Sequence, residues 1–434
     1  VAGRFGNTGQ TDYSAANDLL ARLGASIRSA YPHMQVVTID WGAWAEVGMA
    51  SRGYVPELMK RAGIEMMHPA VAAPLVRREI NCHTPGGEVV YAGSLGVLEG
   101  ALKADGGLDL EKANQALTQG HPKHLMLTRV TGMSHEEGVV LEAELDPNAE
   151  PFLRDHALNG IPLLPGVMGI EGLSAAAQHI ASVLASEKGS YRVTRLENIQ
   201  FQAPFKFYRN QPRKVTWKAR VLREGDSLVG YASLESTLAR YGRDPERMLH
   251  FTGKVYLRPT SEPLEEVAGP APAWNGSRIL PADEIYRLYF HGPAFRVLEA
   301  VQQKPGVVVG KLRQELPPLT RQEQSLILSP LLVELCLQTA GVWEIGAKGT
   351  MALPRSIGNL KVYPAEVNGS EIYAEVTPRS EGGERPSFNA RVVDAKGRVF
   401  LELEDYRTEP LPYTVEKEQL KPVQTWLNDD PREG

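Results

Sequence analysis

The strongest constraint in this chain is a plan that occurs twice. Residues 124–262 carry short runs of alternating apolar and polar residues, interrupted by one long apolar segment, Gly166–Leu184. Residues 278–412 repeat the plan around a second long apolar segment, Pro330–Glu344. Alternation predicts half-buried strands. In the first half these are Val139–Leu145, Arg192–Gln202, Lys214–Arg223, Ser227–Ser236 and Leu249–Leu257. In the second, a short helix at Ala282–Leu288 precedes strands at Val297–Gln303, Gly306–Leu316, Leu360–Val362, Glu371–Pro378, Ser387–Val393 and Val399–Tyr406. A helix that is apolar nearly all round has no face to offer water and must be wrapped. One such helix per half predicts two tandem α+β units, each a curved antiparallel sheet around a helix. The units span 123–262 and 278–414, joined by a Pro- and Gly-rich linker at 263–277. The polar residues 415–434 read as a loose tail.

Residues 1–105 have a different texture. Thr11–Arg28 is helical in pattern, with Leu19, Leu20 and Leu23 on one stripe. Gln35–Trp41 and Glu88–Ala92 read as buried parallel strands, with helices near Pro56–Ala62 and Ala70–Glu79 between them. This is the end of an α/β, Rossmann-type unit. A linker at 106–122 follows, where Gly106, Gly107 and Gly120 flank a polar helical stretch at Leu110–Leu117. The chain opens at Val1 without a Met or a signal segment, and reads as a piece of a longer polypeptide. A net charge of −5 argues against a general nucleic-acid binder. No apolar run reaches the ~18–20 residues of a membrane span. The two cysteines, Cys82 and Cys336, lie far apart, and the histidines show no metal-ligand spacing. A reduced, cytoplasmic setting and no metal site are expected.

Residues Asp155–Gly166 read DHALNGIPLLPG. Glycine and two prolines make a tightly shaped loop that runs straight into the start of the first long helix. An imidazole on such a loop, His156, can take a proton from the carbon beside a thioester carbonyl. Unpaired N–H groups at the helix start, near Gly166 and Val167 or at Gly160, can hold the negative charge that develops on the carbonyl oxygen. The plain alternative is a histidine satisfied within a turn.

The spacing His156, Gly160, Pro165 (HxxxGxxxxP) resembles the dehydratase motif of modular type I polyketide synthases and related polyunsaturated fatty acid or enediyne-type synthases. The resemblance covers about 123–412. It implies a double hotdog, in agreement with the repeated plan, and a second catalytic group on the long helix of the second unit, within a pattern like HPxLLDxxxQ. The segment here is Ser329-Pro330-Leu331-Leu332-Val333-Glu334-Leu335-Cys336-Leu337-Gln338, with Glu334 where Asp is usual and Ser329 where His is common. A carboxylate inside an apolar helix is costly unless it has a partner or a task, and burial raises its pKa toward neutrality. Gln338, four residues on, shares its face. The extra methylene of Glu moves the carboxyl by about 1.5 Å. Glu171, in the run Pro165–Glu171, is a rival acid that resembles the PGxxxxE run of single-hotdog dehydratases.

His291-Gly292-Pro293-Ala294-Phe295 resembles the family's YGPxF segment with His for Tyr, which implies a place on the substrate tunnel for His291; a structural turn is the alternative. Arg154, Lys206, Arg209, Arg213 and Lys214 are candidates for a basic patch facing an acyl carrier protein. At the other end, Arg4–Asn17 resembles the catalytic segment of polyketide ketoreductases, with Tyr13 and Asn17 on one helix face, and Asp40–Ala50 resembles their cofactor-side strand end and lid. The glycine-rich dinucleotide turn of such enzymes is absent, so NADPH belongs only to a complete ketoreductase.

The function so implied is syn elimination of water from a 3-hydroxyacyl thioester, carried on an acyl carrier protein through phosphopantetheine, to a trans-2-enoyl thioester. No cofactor is expected for that step. The partners implied are the carrier protein, other domains of the same multienzyme and a second copy in a homodimer, with no nucleic acid. A double-bond isomerase or cyclase on the same fold, and a non-catalytic docking or dimerisation module, stay open.

Overall fold

A computed structural model describes residues 1–7, 9–31, 33–81, 87–101, 110–119, 123–134, 138–184, 190–224, 227–238, 246–264, 266–272, 274–321, 324–363, 369–379 and 386–428. Cys82, Gly106, Gly107 and Gly120 lie outside the described residues. The chain forms two units, one from 1–108 with 132–137 and one from 109–131 with the residues from 138 onward.

In the first unit, Thr38–Trp41 pairs in parallel with Glu88–Tyr91, from Thr38↔Glu88 to Trp41↔Tyr91. Helices Thr11–Ala30, Val55–Arg61 and Pro69–Asn81 surround this pair in sequence. The α/β reading holds in outline, although the first strand begins at Thr38 rather than Gln35. Leu19, Leu20 and Leu23 are 65%, 61% and 53% exposed. The physical reason is the narrow sheet: two four-residue strands cannot cover a helix of 20 residues.

The second unit holds the repeated plan. Its elements are β1 (Gly138–Leu145), α1 (Gly166–Leu184), β2 (Tyr191–Phe201), β3 (Arg213–Glu224), β4 (Ser227–Leu238) and β5 (Glu246–Pro259). Then come β6 (Ile279–Pro281), β7 (Leu298–Lys304), β8 (Val307–Leu312), α2 (Pro330–Lys348), β9 (Thr350–Val362), β10 (Ile372–Arg379), β11 (Ser387–Asp394), β12 (Val399–Thr414) and α3 (Lys417–Asn428). These twelve strands make a continuous run of one larger sheet in the order β6-β7-β8-β10-β11-β12-β9-β2-β5-β4-β3-β1. Its halves meet where β2 and β9 pair antiparallel, from Ser356↔Gln200 to Lys361↔Arg195. Each half wraps its own helix: α1 packs on β2–β5, and α2 on β8–β11. This is the double hotdog expected from the sequence.

Close packing is written into single residues. A Cβ at Gly172 of α1 would lie 2.1 Å from the ring of Trp217, which is fully buried on β3. The helix can approach the sheet there only because the residue has no side chain. Helix α2 continues past Glu344 to Lys348 and stops at Gly349, whose φ of +71° closes the last turn through its N–H and the Ile345 carbonyl at 2.8 Å. The strand expected at Leu360–Val362 begins ten residues earlier, at Thr350, and absorbs Pro354 through register shifts against β12.

The expectation of a loose tail is wrong for residues 417–428. They form α3, with Leu420, Val423 and Trp426 buried. Val423 and Leu427 pack over Gly346 of α2, and the Trp426 indole donates to the Arg278 carbonyl at 2.8 Å. Apolar residues spaced three apart supply the face, which the polar composition of the segment conceals. Likewise, 110–119 of the expected linker is a helix tied to the second unit, where the Asn114 side chain exchanges hydrogen bonds with the Val130 N–H (2.9 Å) and carbonyl (3.0 Å).

Candidate active site

The loop carrying His156 is a small hairpin rather than irregular chain. Ala157–Leu158 pairs antiparallel with Ile161–Pro162 around Asn159 and Gly160, whose φ values are +51° and +76°. Positive φ at both central residues is the tight turn that Asn-Gly favours. This fixes Leu163 opposite His156: the Leu163 N–H donates to the His156 carbonyl at 3.0 Å, and the His156 Nδ1 lies 3.0 Å from the Leu163 carbonyl. A carbonyl can only accept, so Nδ1 carries the hydrogen and Nε2 is left with its lone pair. Burial pulls the imidazole down to about 4, against the backbone bond that favours the cation. His156 is therefore neutral at ordinary pH.

A second loop, from the other hotdog, is clasped to this one. His156 and His291 face each other as an isolated antiparallel bridge. The Gly292 N–H donates to the Asp155 carbonyl at 2.7 Å, and the Ala294 N–H to the Asp155 carboxylate at 2.9 Å. A Cβ at Gly292 would fall 2.8 Å from the Asp155 Cα. The glycine is thus what allows the two loops to touch. Around the His156 ring stand Phe290, Phe295 and His291, with centroids 5.1, 5.6 and 5.4 Å away.

Helix α2 brings Glu334 to the same place. Glu334 is 6% exposed, and burial pushes its carboxyl up to about 7, opposed by the Gln338 hydrogen bond. The Gln338 amide donates to Glu334 Oε1 at 2.7 Å and to the Phe295 carbonyl at 2.8 Å. Gln338 is itself fixed: its Oε1 accepts from the Tyr286 hydroxyl at 2.8 Å, and its backbone carbonyl from the Tyr289 hydroxyl at 2.8 Å. His291 Nε2 also approaches Glu334 Oε1, at 3.4 Å. Both donors converge on Oε1, which leaves Oε2 as the oxygen free to hold a proton toward the cavity.

A cavity of about 280 Å3 is lined by His156, Gly166, His291, Glu334 and Gln338, with Phe201, Phe251 and Leu337 on its apolar walls. Gly166, at the first position of α1, presents one of the N–H groups that a helix start leaves without an intrahelical acceptor. Gly160 does not line the cavity and has open space about its α-carbon; its positive φ ties it to the turn. Pro165 caps the approach to α1, its carbonyl accepting from Met168 and Gly169 at 3.0 Å each.

Glu171 stands elsewhere. It is fully buried and accepts the Ile327 and Leu328 N–H groups at 2.6 and 2.9 Å, with His124 Nε2 at 3.3 Å. Its oxygens hold the segment that leads into α2, and it does not line the cavity. Of the five basic candidates, Arg213 lies over the Phe205 ring and donates to the Lys206 carbonyl, and Lys214 pairs with Glu142 at 3.2 Å. Tyr13 is 43% exposed, and its carbonyl accepts the Asn17 side chain at 2.8 Å. Asp155, Tyr286 and Tyr289 are site residues that sequence reading missed. Only Asp155 carried a signal, its place beside His156. Among the described residues no group of three His, Cys, Asp or Glu side chains is placed to hold a metal ion. No described helix is long and apolar enough to cross a membrane.

Residues 124–228 match the family described as polyketide synthase dehydratase domain, and residues 271–418 the family described as polyketide synthase dehydratase N-terminal domain. Among curated proteins the chain is similar to Polyketide synthase PksN of Bacillus subtilis (strain 168), 22% identical over 315 residues. That match takes in 70% of this chain and 5% of PksN, so the chain spans a small part of that relative. A trans-AT polyketide synthase dehydratase domain from Brevibacillus brevis shares the fold at 21% identity and a TM-score of 0.51, over 66% of this chain and 98% of that one. The dehydratase domain from the CurF module of curacin polyketide synthase does so at 18% and 0.50, over 66% and 99%. The two family matches together take in more than half of the chain, which belongs to the polyketide synthase dehydratase family, a family of hydro-lyases.

Proposed function

We propose that residues 123–414 remove water from a 3-hydroxyacyl thioester, with His156 as base and Glu334 as acid. The observation that carries this reading is one cavity lined by both a neutral imidazole and a carboxyl whose pKa is raised to about 7. His156 Nε2 takes the proton from C2. The negative charge that moves onto the thioester oxygen is met by N–H groups at the start of α1, at Gly166 and Val167. Glu334 Oε2 gives its proton to the C3 hydroxyl, which leaves as water. The product is a trans-2-enoyl thioester. Gln338, held by Tyr286 and Phe295, keeps the carboxyl aimed.

The substrate is proposed to arrive on the phosphopantetheine arm of an acyl carrier protein, within a cytoplasmic, homodimeric multienzyme. Residues 1–105 are proposed to be the C-terminal part of a ketoreductase; the parallel strand pair and the Tyr13–Asn17 helix support this. Among the described residues of this part, no glycine-rich turn joins a strand to a helix, so they do not fit NADPH by themselves.

The test is mass spectrometry of a short 3-hydroxyacyl thioester mimic with wild type, His156→Ala and Glu334→Gln. Loss of the mass of one water in wild type alone is expected. A product of unchanged mass with a moved double bond, or a ring, would replace this reading with isomerase or cyclase. No reaction on any thioester offered, with the chain folded, would favour a docking module.

A further inference from the structure

Elimination leaves the site in the wrong protonation state for a second turnover. His156 has gained a proton and Glu334 has lost one, across a cavity lined by Phe201, Phe251 and Phe290. One residue lies between them. His291 is 7% exposed, with Nε2 3.4 Å from Glu334 Oε1 and its ring centroid 5.4 Å from that of His156. Its Nδ1 is buried without a hydrogen-bond partner. The ring is held by stacking on Phe290 at 4.5 Å and 19°, and its carbonyl accepts from Arg296 Nε at 3.1 Å. A buried ring nitrogen with no partner is costly unless something reaches it during the reaction.

We infer that His291 is a proton relay that returns the C2-derived proton from His156 to Glu334 and so resets the site. The inference rests on the base and acid assignments above. In the resting state His291 carries its hydrogen on Nε2, donating to Glu334 Oε1, with the lone pair on Nδ1. After elimination the His156 Nε2–H bond breaks and a new N–H bond forms at His291 Nδ1. The His291 Nε2–H bond breaks in turn, and Glu334 Oε1 gains that proton. One proton is taken and one given; no electron pair leaves the three groups. His291 then regains its first tautomer by exchanging its hydrogen between the two nitrogens through water as product departs. A half-turn about the Glu334 Cγ–Cδ bond, a broad two-fold torsion, presents the acid proton to the next substrate. Burial, the His156 ring and Arg296 all hold His291 well below its ordinary pKa, so it passes a proton on rather than keeping it.

The experiment compares single-turnover with steady-state kinetics for wild type and His291→Phe, using the 434-residue chain and the same thioester mimic. Wild type should turn over linearly. In His291→Phe the first turnover should be the fast phase, with every later turnover slower than it by about a hundredfold, the low end of what a positioned acid–base group contributes. A purely structural fault would slow both phases together. In His291→Ala, added imidazole should restore the slow phase, whereas pyrrole, which has the shape but no free lone pair, should not. Equal steady-state rates in wild type and His291→Phe overturn the relay, as does an equal fall in the first and later turnovers. Failure of wild type to release water is a different result, which removes the base and acid assignments themselves.

Discussion

Replacing Glu334 by Gln should separate catalysis from stability, because the two respond to this carboxyl in opposite directions. A glutamine keeps an oxygen for the Gln338 amide, so the contacts at 2.7 and 2.8 Å on that side chain survive. The proton donor is lost. A positioned general acid contributes about 10²–10⁴ in rate, or about 3–5 kcal/mol of barrier, and the variant should fall by that factor. Stability moves the other way. Burial raises the Glu334 carboxyl from 4.5 to about 7, so the folded chain binds this proton more tightly than the unfolded chain. The stability it brings is fully present below the unfolded value and is lost as pH rises through the folded one. The loss between about pH 4.5 and 7 comes to about 3 kcal/mol. Glutamine does not titrate and escapes that loss. Urea unfolding at pH 5 and pH 8 should therefore show the variant gaining up to about 3 kcal/mol on wild type over this interval. Parallel stability curves, or a variant with more than a tenth of wild-type activity, would refute the argument that Glu334 is a buried, protonated donor.

Three further outcomes follow from the same geometry. The pH profile of kcat/KM should be a bell, falling below about 4 as His156 takes a proton and above about 7 as Glu334 loses one; Glu334→Gln should lack the alkaline limb. Glu171→Gln should lose about 1–3 kcal/mol of stability, since one of its two backbone N–H partners is left facing an amide NH2 that cannot accept, while the folded fraction keeps its activity in the water-loss assay. Gly292→Ala should cost about 1–3 kcal/mol and most of the activity, because the new Cβ meets the Asp155 backbone and parts the two loops; thermal unfolding and the same assay read both effects.

Much of this protein is legible without coordinates. Apolar segments too uniform to face water had to be wrapped, and alternation told the wrapping from the wrapped. For α1 the expected bounds, Gly166–Leu184, are those of the structure. The Gly and Pro positions after Asp155 marked a rigid loop feeding a helix start, and the helix position of Glu334 marked a carboxyl with a raised pKa. These are local properties, settled by residue type and spacing within a few turns of chain. The choice between Glu334 and Glu171 was of another kind. Both sit in apolar helices and both are buried; only the fold gives one the backbone N–H groups of 327 and 328 and turns the other toward His156's cavity. The contact between His156 and His291, and the Asp155 clasp that makes it, join residues about 135 positions apart, a separation over which no local pattern carries information. The burial of α3 was hidden for the same reason: the composition of 417–428 is polar, and Leu420, Val423, Trp426 and Leu427 acquire a meaning only when the rest of the fold, α2 included, supplies the surface opposite them.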